Sequence, residues 1–404
     1  MSSTKILIGC TVPEDFLADL SALGTEVLYE PRIETERLEK LIADVGVLVV
    51  SRNRVSPEVI AAGRSLQMII RAGTDTSHID VEEASKSGIF VCNCPFKDAG
   101  AIAELTFGYL LALDRRLINH ARTAQDKKAT EPLEIEALGL AGRTLGVLGY
   151  GPVEQEIIRR AQAFDMKVSA WSPTLLTPEI AFERKIGFGS RPRDVARDSD
   201  MVSVYISPKN RETHVVDADV LNNMRPGTYL VYIGHPGALD LSALVEAADR
   251  RQIWIAYDIS APQLTTGDIG RLMTRLQSLP NVIGTFGLAD RTRQARQATT
   301  GEVLRIIREF LVNSRVLNCV NLIEYNPATW QLVLRLKDRV GVLASIMDVL
   351  RADGINMEDI TSHLFTGAQA AWCIMAVDER PSAEALAAIH KLEGVLNLEL
   401  RAMV

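Results

Sequence analysis

Thr144-Leu145-Gly146-Val147-Leu148-Gly149-Tyr150-Gly151-Pro152-Val153-Glu154 runs an apolar strand into a Gly-x-Gly turn and a helix start. That order is how a doubly wound α/β domain cradles a dinucleotide pyrophosphate. The first glycine makes the tight turn, the second lets the backbone approach the phosphates, and the helix N-terminus supplies N–H groups and a positive dipole end. Gly149, Tyr150, Gly151, Pro152 and Val153 are therefore the candidate cofactor-binding residues. A third glycine normally follows the second by three positions and lets the helix pack closely on the strand. Here that position is Glu154, a carboxylate beside the place where two phosphates would lie. The turn admits two readings, a retained nucleotide or anion site and a relic of the fold.

Outward from this turn, apolar runs at 144–148, 167–171, 201–206, 229–233, 253–258 and 281–285 alternate with helical or turn segments. The alternation predicts a Rossmann-like doubly wound parallel sheet over residues 99–285. Ser172 closes the second of these strands, where an acidic residue normally binds the ribose hydroxyls. Serine hydrogen-bonds one hydroxyl and does not chelate two, and no arginine follows to meet a 2′-phosphate, so NAD is the expected dinucleotide if one binds.

Upstream, Lys5–Gly9, Val45–Val50, Met68–Arg71 and Ile89–Cys92 alternate with helical stretches. A second parallel α/β domain, flavodoxin-like, is predicted from residues 1–98 together with 286–318, where residues 300–312 read as a returning helix. The run from Ala99 to about residue 118 is apolar on most faces and predicts one helix buried between domains or subunits. Asn318–Thr329, containing Asn326-Pro327, reads as a linker. Residues 328–404 then give the order βαββαβ, a ferredoxin-like module.

With 404 residues, 47% hydrophobic and 24% charged, the chain is long enough for several cored domains and is far from the composition of disorder. Its net charge of −7, with Lys and Arg spread along the chain, gives no footprint for nucleic acid or an anionic membrane. Cys10, Cys92, Cys94, Cys319 and Cys373 show neither disulfide-framework nor metal-ligand spacing. Cys92 and Cys94 share one face of an extended segment and read as packing thiols, with a redox or nucleophilic role as the alternative. His120, His214, His363 and His390 show no partner spacing and read as structural. The chain enters strand-like sequence at Lys5 with no signal-peptide pattern, so a cytoplasmic protein with reduced thiols and no metal is expected.

The chain resembles the D-isomer-specific 2-hydroxyacid dehydrogenases, and within them the phosphoglycerate dehydrogenase branch that ends in an ACT domain. The carriers are Arg71-Ala72-Gly73, Ile79-Asp80, Asn93, Pro95, Ala103-Glu104-Leu105-Thr106, Gly142 to Gly146, Gly149-Tyr150-Gly151, Ala170 to Pro173, and Met224 to Thr228 with Gly237 and Asp240. The ACT-like signature is Asp338-Arg339-Val340-Gly341-Val342-Leu343 with Gly354-Ile355-Asn356. The resemblance implies hydride transfer between a substrate C2 and nicotinamide, with an arginine clamping the carboxylate and a histidine, held by a glutamate, moving the hydroxyl proton.

At the three matching positions this chain has His235 for the arginine, Ala261 for the glutamate and Gly287 for the histidine. The substrate loop reads Thr74-Asp75-Thr76-Ser77-His78 in place of a glycine-rich turn, and Asp75 would repel an anionic acid by roughly 4 kcal/mol at about 4 Å. Losing both proton transfer and the clamp removes the standard mechanism, so the chain reads as a silenced member that acts by binding. The alternative is an NAD-dependent oxidoreductase on another small 2-hydroxy or 2-oxo acid, using Asp75, His78, His235 and Asp258 as a new catalytic set. In the ACT-like unit the resemblance implies amino-acid contacts at Asp338, Gly341 and Asn356, although Leu336 replaces the family's histidine. A purely oligomerising module is the other reading. The buried helix and the ACT-like unit both imply a homo-oligomer.

Overall fold

The computed structural model describes residues 4–125, 137–206, 215–234, 239–250, 253–259, 267–323 and 325–403. It divides into two compact units, Met1–Asn321 and Leu322–Val404.

The first unit holds two parallel sheets. One is built from β1 (Lys5–Ile8), β2 (Glu26–Tyr29), β3 (Val47–Val50), β4 (Met68–Arg71) and β5 (Phe90–Asn93), in the order β2-β1-β3-β4-β5. Its central strands are covered on both faces, which is why β3 and β4 are buried at every position and read as unbroken apolar runs. One face builds a core around Leu7, Leu48 and Ile69, the other around Ile8, Val49 and Ile70. The helix Arg293–Asn313 packs Val303, Ile306 and Ile307 into the second of these cores. Strand β2 was not foreseen from sequence, because it lies at the sheet edge and buries none of its four residues fully.

The other sheet contains β6 (Thr144–Leu148), β7 (Lys167–Trp171), β8 (Gly187–Phe188), β9 (Met201–Ile206), β10 (Thr228–Gly234), β11 (Ile253–Ile259) and β12 (Val282–Thr285), in the order β12-β11-β10-β9-β6-β7-β8. Each sheet has a point where the strand order reverses, between β1 and β3 in the first and between β6 and β9 in the second. Crevices for ligands open at the carboxyl ends of strands at such points. The long apolar helix spans Ala99–Asp114, with a second helix at Leu117–Gln125, instead of running on to residue 118. The break follows from Asp114, whose buried carboxylate accepts hydrogen bonds from Arg143 Nη1 and the Gly139 amide, while Arg116 turns at φ 48° to lie over the Trp254 ring.

The second unit runs β13 (Trp330–Lys337), helix Val342–Ala352, β14 (Met357–Leu364), β15 (Ala370–Val377), helix Ala383–Lys391 and β16 (Val395–Ala402). Its sheet is antiparallel in the order β14-β15-β13-β16, and its core joins Leu332, Leu334 and Leu336 to Ile346, Leu350 and Ile389 of the two helices. β14 begins two residues later than the sequence reading, because the Ile355 amide bonds Leu350 O and closes the preceding helix. The expected linker is shorter than read. The Asn93 amide bonds Asn318 O, the Val320 amide bonds Val91 O, and the Asn321 side chain accepts from the Val91 amide and donates to Ile89 O, which stitches Asn318–Asn321 to β5.

Candidate active site

Strand β6 ends with Leu148 between Trp171 of β7 and Val204 of β9. The next residue, Gly149, takes φ 131° and its amide bonds Trp171 O at 2.7 Å. Gly151 then starts the helix Pro152–Ala163, with Pro152 at a first-turn position where a missing N–H costs nothing. The Glu154 side chain folds back beneath this turn. A Cβ on Gly149 would lie 2.5 Å from Glu154 Oε1, and one on Gly151 would lie 3.0 Å from Oε2. Glu154 is only 5% exposed, and burial pushes its carboxyl up to about 7, against a downward pull from the Glu154 and Gly151 amides. The first turn of the helix, where a phosphate is ordinarily held, thus carries a buried acidic side chain of the chain itself. Tyr150 and Val153 are buried in the sheet core, and the Ser172 hydroxyl at the end of β7 accepts from the Leu175 amide at 3.2 Å. The candidate cofactor residues are therefore gathered around one turn, with the buried Glu154 carboxyl packed against it.

Beside the turn, Tyr205 follows Val204 on β9. Burial raises its phenol, and the charges of Asp98, Glu154, Asp75 and Asp290 raise it further. Four carboxylates therefore converge on one part of the unit. A cavity of about 540 Å³ opens nearby at the carboxyl ends of β1, β3 and β4, lined by Gly9, Arg52, Gly73, Asp98, Asp290 and Arg291 among others. This is the crevice at the reversal point of the first sheet. Arg71 at the end of β4 is buried against it. Its guanidinium donates to Ala72 O and Asp75 O and fills the space where a Gly73 side chain would stand.

Asp75 and His78 share the loop after β4. The Asp75 carboxylate accepts from the Ser77 amide at 2.9 Å and the Ser77 hydroxyl at 2.7 Å, and His78 O accepts from the Val55 amide. Asp258 is the penultimate residue of β11, at 4% exposure. Its two oxygens accept from the Thr285 hydroxyl, the Leu288 amide and the Ala289 amide, and Thr285 in turn pairs with the Tyr109 hydroxyl at 2.6 Å. Those contacts give Asp258 the work of holding the loop Phe286–Ala289. Gly287 lies on that loop at φ 57°, and a Cβ there would stand 3.5 Å from Arg52 Nη2 and 3.8 Å from Arg291 Nη2. His235 and Ala261 lie outside the described residues.

Sequence reasoning missed Arg52, Asp98, Tyr205, Asp290 and Arg291. A signal for two of them was available: Arg52 follows β3, Tyr205 is near the end of β9, and both strands border a reversal point. In the second unit, Asp338 and Gly341 lie on the turn after β13, whereas Asn356 precedes β14. Lys337 pairs with Ala370, and Met357 pairs with Val377 at the other end of β15, so the two groups are roughly 20 Å apart along the strands. One chain does not bring them together. Among the described residues, no cluster of His, Cys, Asp or Glu is arranged to hold a metal ion, and no helix is long and apolar enough to cross a membrane.

Residues 107–286 match the family model "D-isomer specific 2-hydroxyacid dehydrogenase, NAD binding domain". The chain is 30% identical over 277 residues to hydroxypyruvate reductase of Thermotoga maritima, covering 68% of this chain and 88% of that protein. It is 29% identical over 320 residues to D-3-phosphoglycerate dehydrogenase of Methanocaldococcus jannaschii, covering 79% of this chain but 59% of that protein. Among solved structures, D-lactate dehydrogenase from Aquifex aeolicus, complexed with NAD and lactic acid, shares the fold at a TM-score of 0.66 with 20% identity, over 80% of this chain and all of that one. The strand order, the glycine turn at its reversal point and these matches have one source: the chain belongs to the D-isomer-specific 2-hydroxyacid dehydrogenase family.

Proposed function

We propose that this chain is a member of its family that binds a small ligand without the family's usual dehydrogenase chemistry, serving as a sensor or as a partner to an active enzyme. The observation that carries this reading is Glu154, whose buried carboxyl group packs against Gly149 and Gly151 at the turn a pyrophosphate would use. The replacement of the family's histidine and glutamate by Gly287 and Ala261, and of its arginine by His235, supports the same reading. NAD is the cofactor that the matched domain type and the NAD-bound neighbour support.

Calorimetric titration with NAD and NADH tests the reading. The native chain is expected to show no binding up to millimolar concentration, and Glu154→Gly is expected to gain it. Micromolar binding by the native chain, with turnover of a 2-oxo acid by NADH, would refute it. The second reading, an NAD-dependent oxidoreductase that reuses Asp75, His78, His235 and Asp258, is favoured by one observation: the relatives are named as reductases and dehydrogenases. That titration separates the two.

The C-terminal unit fits an ACT-like regulatory module. Its candidate amino-acid contacts, Asp338 and Gly341 at one end of the sheet and Asn356 at the other, are completed in this reading by a second copy paired end to end, which makes the protein a homo-oligomer.

A further inference from the structure

Two thiols far apart in sequence meet at the outer side of β5, the last strand of the first sheet. The Asn93 amide donates to Asn318 O at 3.1 Å and the Val320 amide to Val91 O at 2.8 Å, so Cys92 and Cys319 stand opposite each other between these bonds as an antiparallel bridge. In a pair placed this way the Cα atoms lie about 4.5 Å apart and both side chains leave on one face. A disulfide spans Cα atoms about 4.4 to 6.8 Å apart, so the backbone is already set for one. The side chains also meet. A hydrogen bond to the Cys319 side chain, together with burial, pushes the Cys92 thiol well above its ordinary range, while Cys319 Sγ donates to Asn321 Oδ1 at 3.1 Å. Asn321 is itself fixed, accepting from the Val91 amide and donating to Ile89 O. The two sulfurs differ in access, since Cys92 is fully buried and Cys319 only half-buried.

We propose that Cys92 and Cys319 are a disulfide-forming site, reduced in the resting chain and closed by a peroxide, which staples Asn318–Asn321, the last residues of the first unit, to β5. The assignment goes beyond the reading of the chain as a binding protein and does not depend on it. Hydrogen peroxide meets the half-buried Cys319, whose sulfur attacks one oxygen; the O–O bond breaks and leaves a sulfenic acid and a water. The Cys92 sulfur then attacks the Cys319 sulfur. The S–O bond breaks, hydroxide leaves with the Cys92 proton as a second water, and the S–S bond remains. Two thiols and one peroxide thus give one disulfide and two waters. The resolving thiol already touches its target, so closure precedes further oxidation of Cys319. Cys94 is excluded by register, because continuing the pairing from Cys92 and Cys319 sets it against Leu317.

The test is treatment of the full chain, folded and reduced, with a small excess of hydrogen peroxide, followed by thiol titration in denaturant and mass spectrometry of a non-reducing digest. Of the five thiols, two are expected to disappear and to return with dithiothreitol, and the peptide carrying Cys319 is expected to be joined to the one carrying Cys92. Cys94→Ala should keep the link, and Cys319→Ala, at a half-buried position, should abolish it. Because the bond closes a long loop, the first unit should melt roughly 5 °C higher when oxidised than when reduced, a shift absent from Cys319→Ala. Circular dichroism of each variant establishes that it is folded. Three results would overturn the proposal: all five thiols remain, Cys319 ends as a sulfinic or sulfonic acid without a link, or the link runs to Cys94 or to a second chain. A Cys92–Cys319 link that left the melting temperature unchanged would overturn its role as a staple.

Discussion

Glu154 titrates in a place where its neutral form suits the folded chain better than its charged one. Its carboxyl stands at about 7 against an ordinary 4.5, because burial penalises the anion. A folded-state value raised above the unfolded one means that the stabilising contribution is complete below pH 4.5 and is lost as the pH rises through about 7. Glu154→Gln keeps the shape and removes the titration. Urea denaturation should therefore show the native chain losing about 3 kcal/mol relative to Glu154→Gln between pH 4.5 and 8. Parallel stability curves would contradict the burial of this carboxyl. The sequence exposes Glu154 as an intruder because the glycine fingerprint is local and its spacing is fixed. That the carboxylate turns inward onto Gly149 is not legible there, since it depends on the gap between helix and strand. Asp75 shows the reverse. Its place in the substrate loop is plain from sequence, but its engagement with Ser77 emerges only when the loop is folded.

The loop Phe286–Ala289 illustrates how one buried side chain governs a stretch of chain. Asp258 accepts from two successive loop amides and from Thr285, and each such bond to a charged acceptor contributes more than a neutral one. Asp258→Ala leaves those donors buried without an acceptor and is expected to destabilise the first unit by roughly 3 kcal/mol, seen as a lower denaturation midpoint. Asp258→Asn retains one acceptor oxygen and should lose less. Equal losses for the two would point to side-chain volume instead of hydrogen bonding. Asp114 plays a similar part between the helix Ala99–Asp114, the Gly139–Arg143 turn and the hydroxyl of Tyr229. Asp114→Ala strands Arg143, most of whose side chain is buried, and should cost about 3 to 5 kcal/mol in the same assay. At this scale the sequence is most readable where strands are buried on both faces, as in Val47–Val50. It is least readable at the edges, where β2 and β8 carry too little apolar pattern to announce themselves.

For the whole molecule, the separate cores matter more than the number of sheets. The cluster that joins Leu332, Leu334 and Leu336 to Ile346 and Ile389 is built within Leu322–Val404, while the two parallel sheets of Met1–Asn321 have cores of their own. A chain assembled this way departs from two-state unfolding. Scanning calorimetry is expected to resolve two transitions, the smaller with an enthalpy of about 60 kcal/mol, as suits a unit of this size. If the C-terminal unit pairs with a second copy, that transition also moves upward as protein concentration is raised, because association stabilises the folded form by mass action. Expression of 322–404 alone identifies which transition belongs to it. Its circular dichroism should show mixed strand and helix, and its melting should reproduce the smaller transition. A single transition in the full chain, unaltered by concentration, together with an unfolded 322–404 fragment, would mean that the C-terminal core does not stand on its own and that its pairing is not what stabilises it.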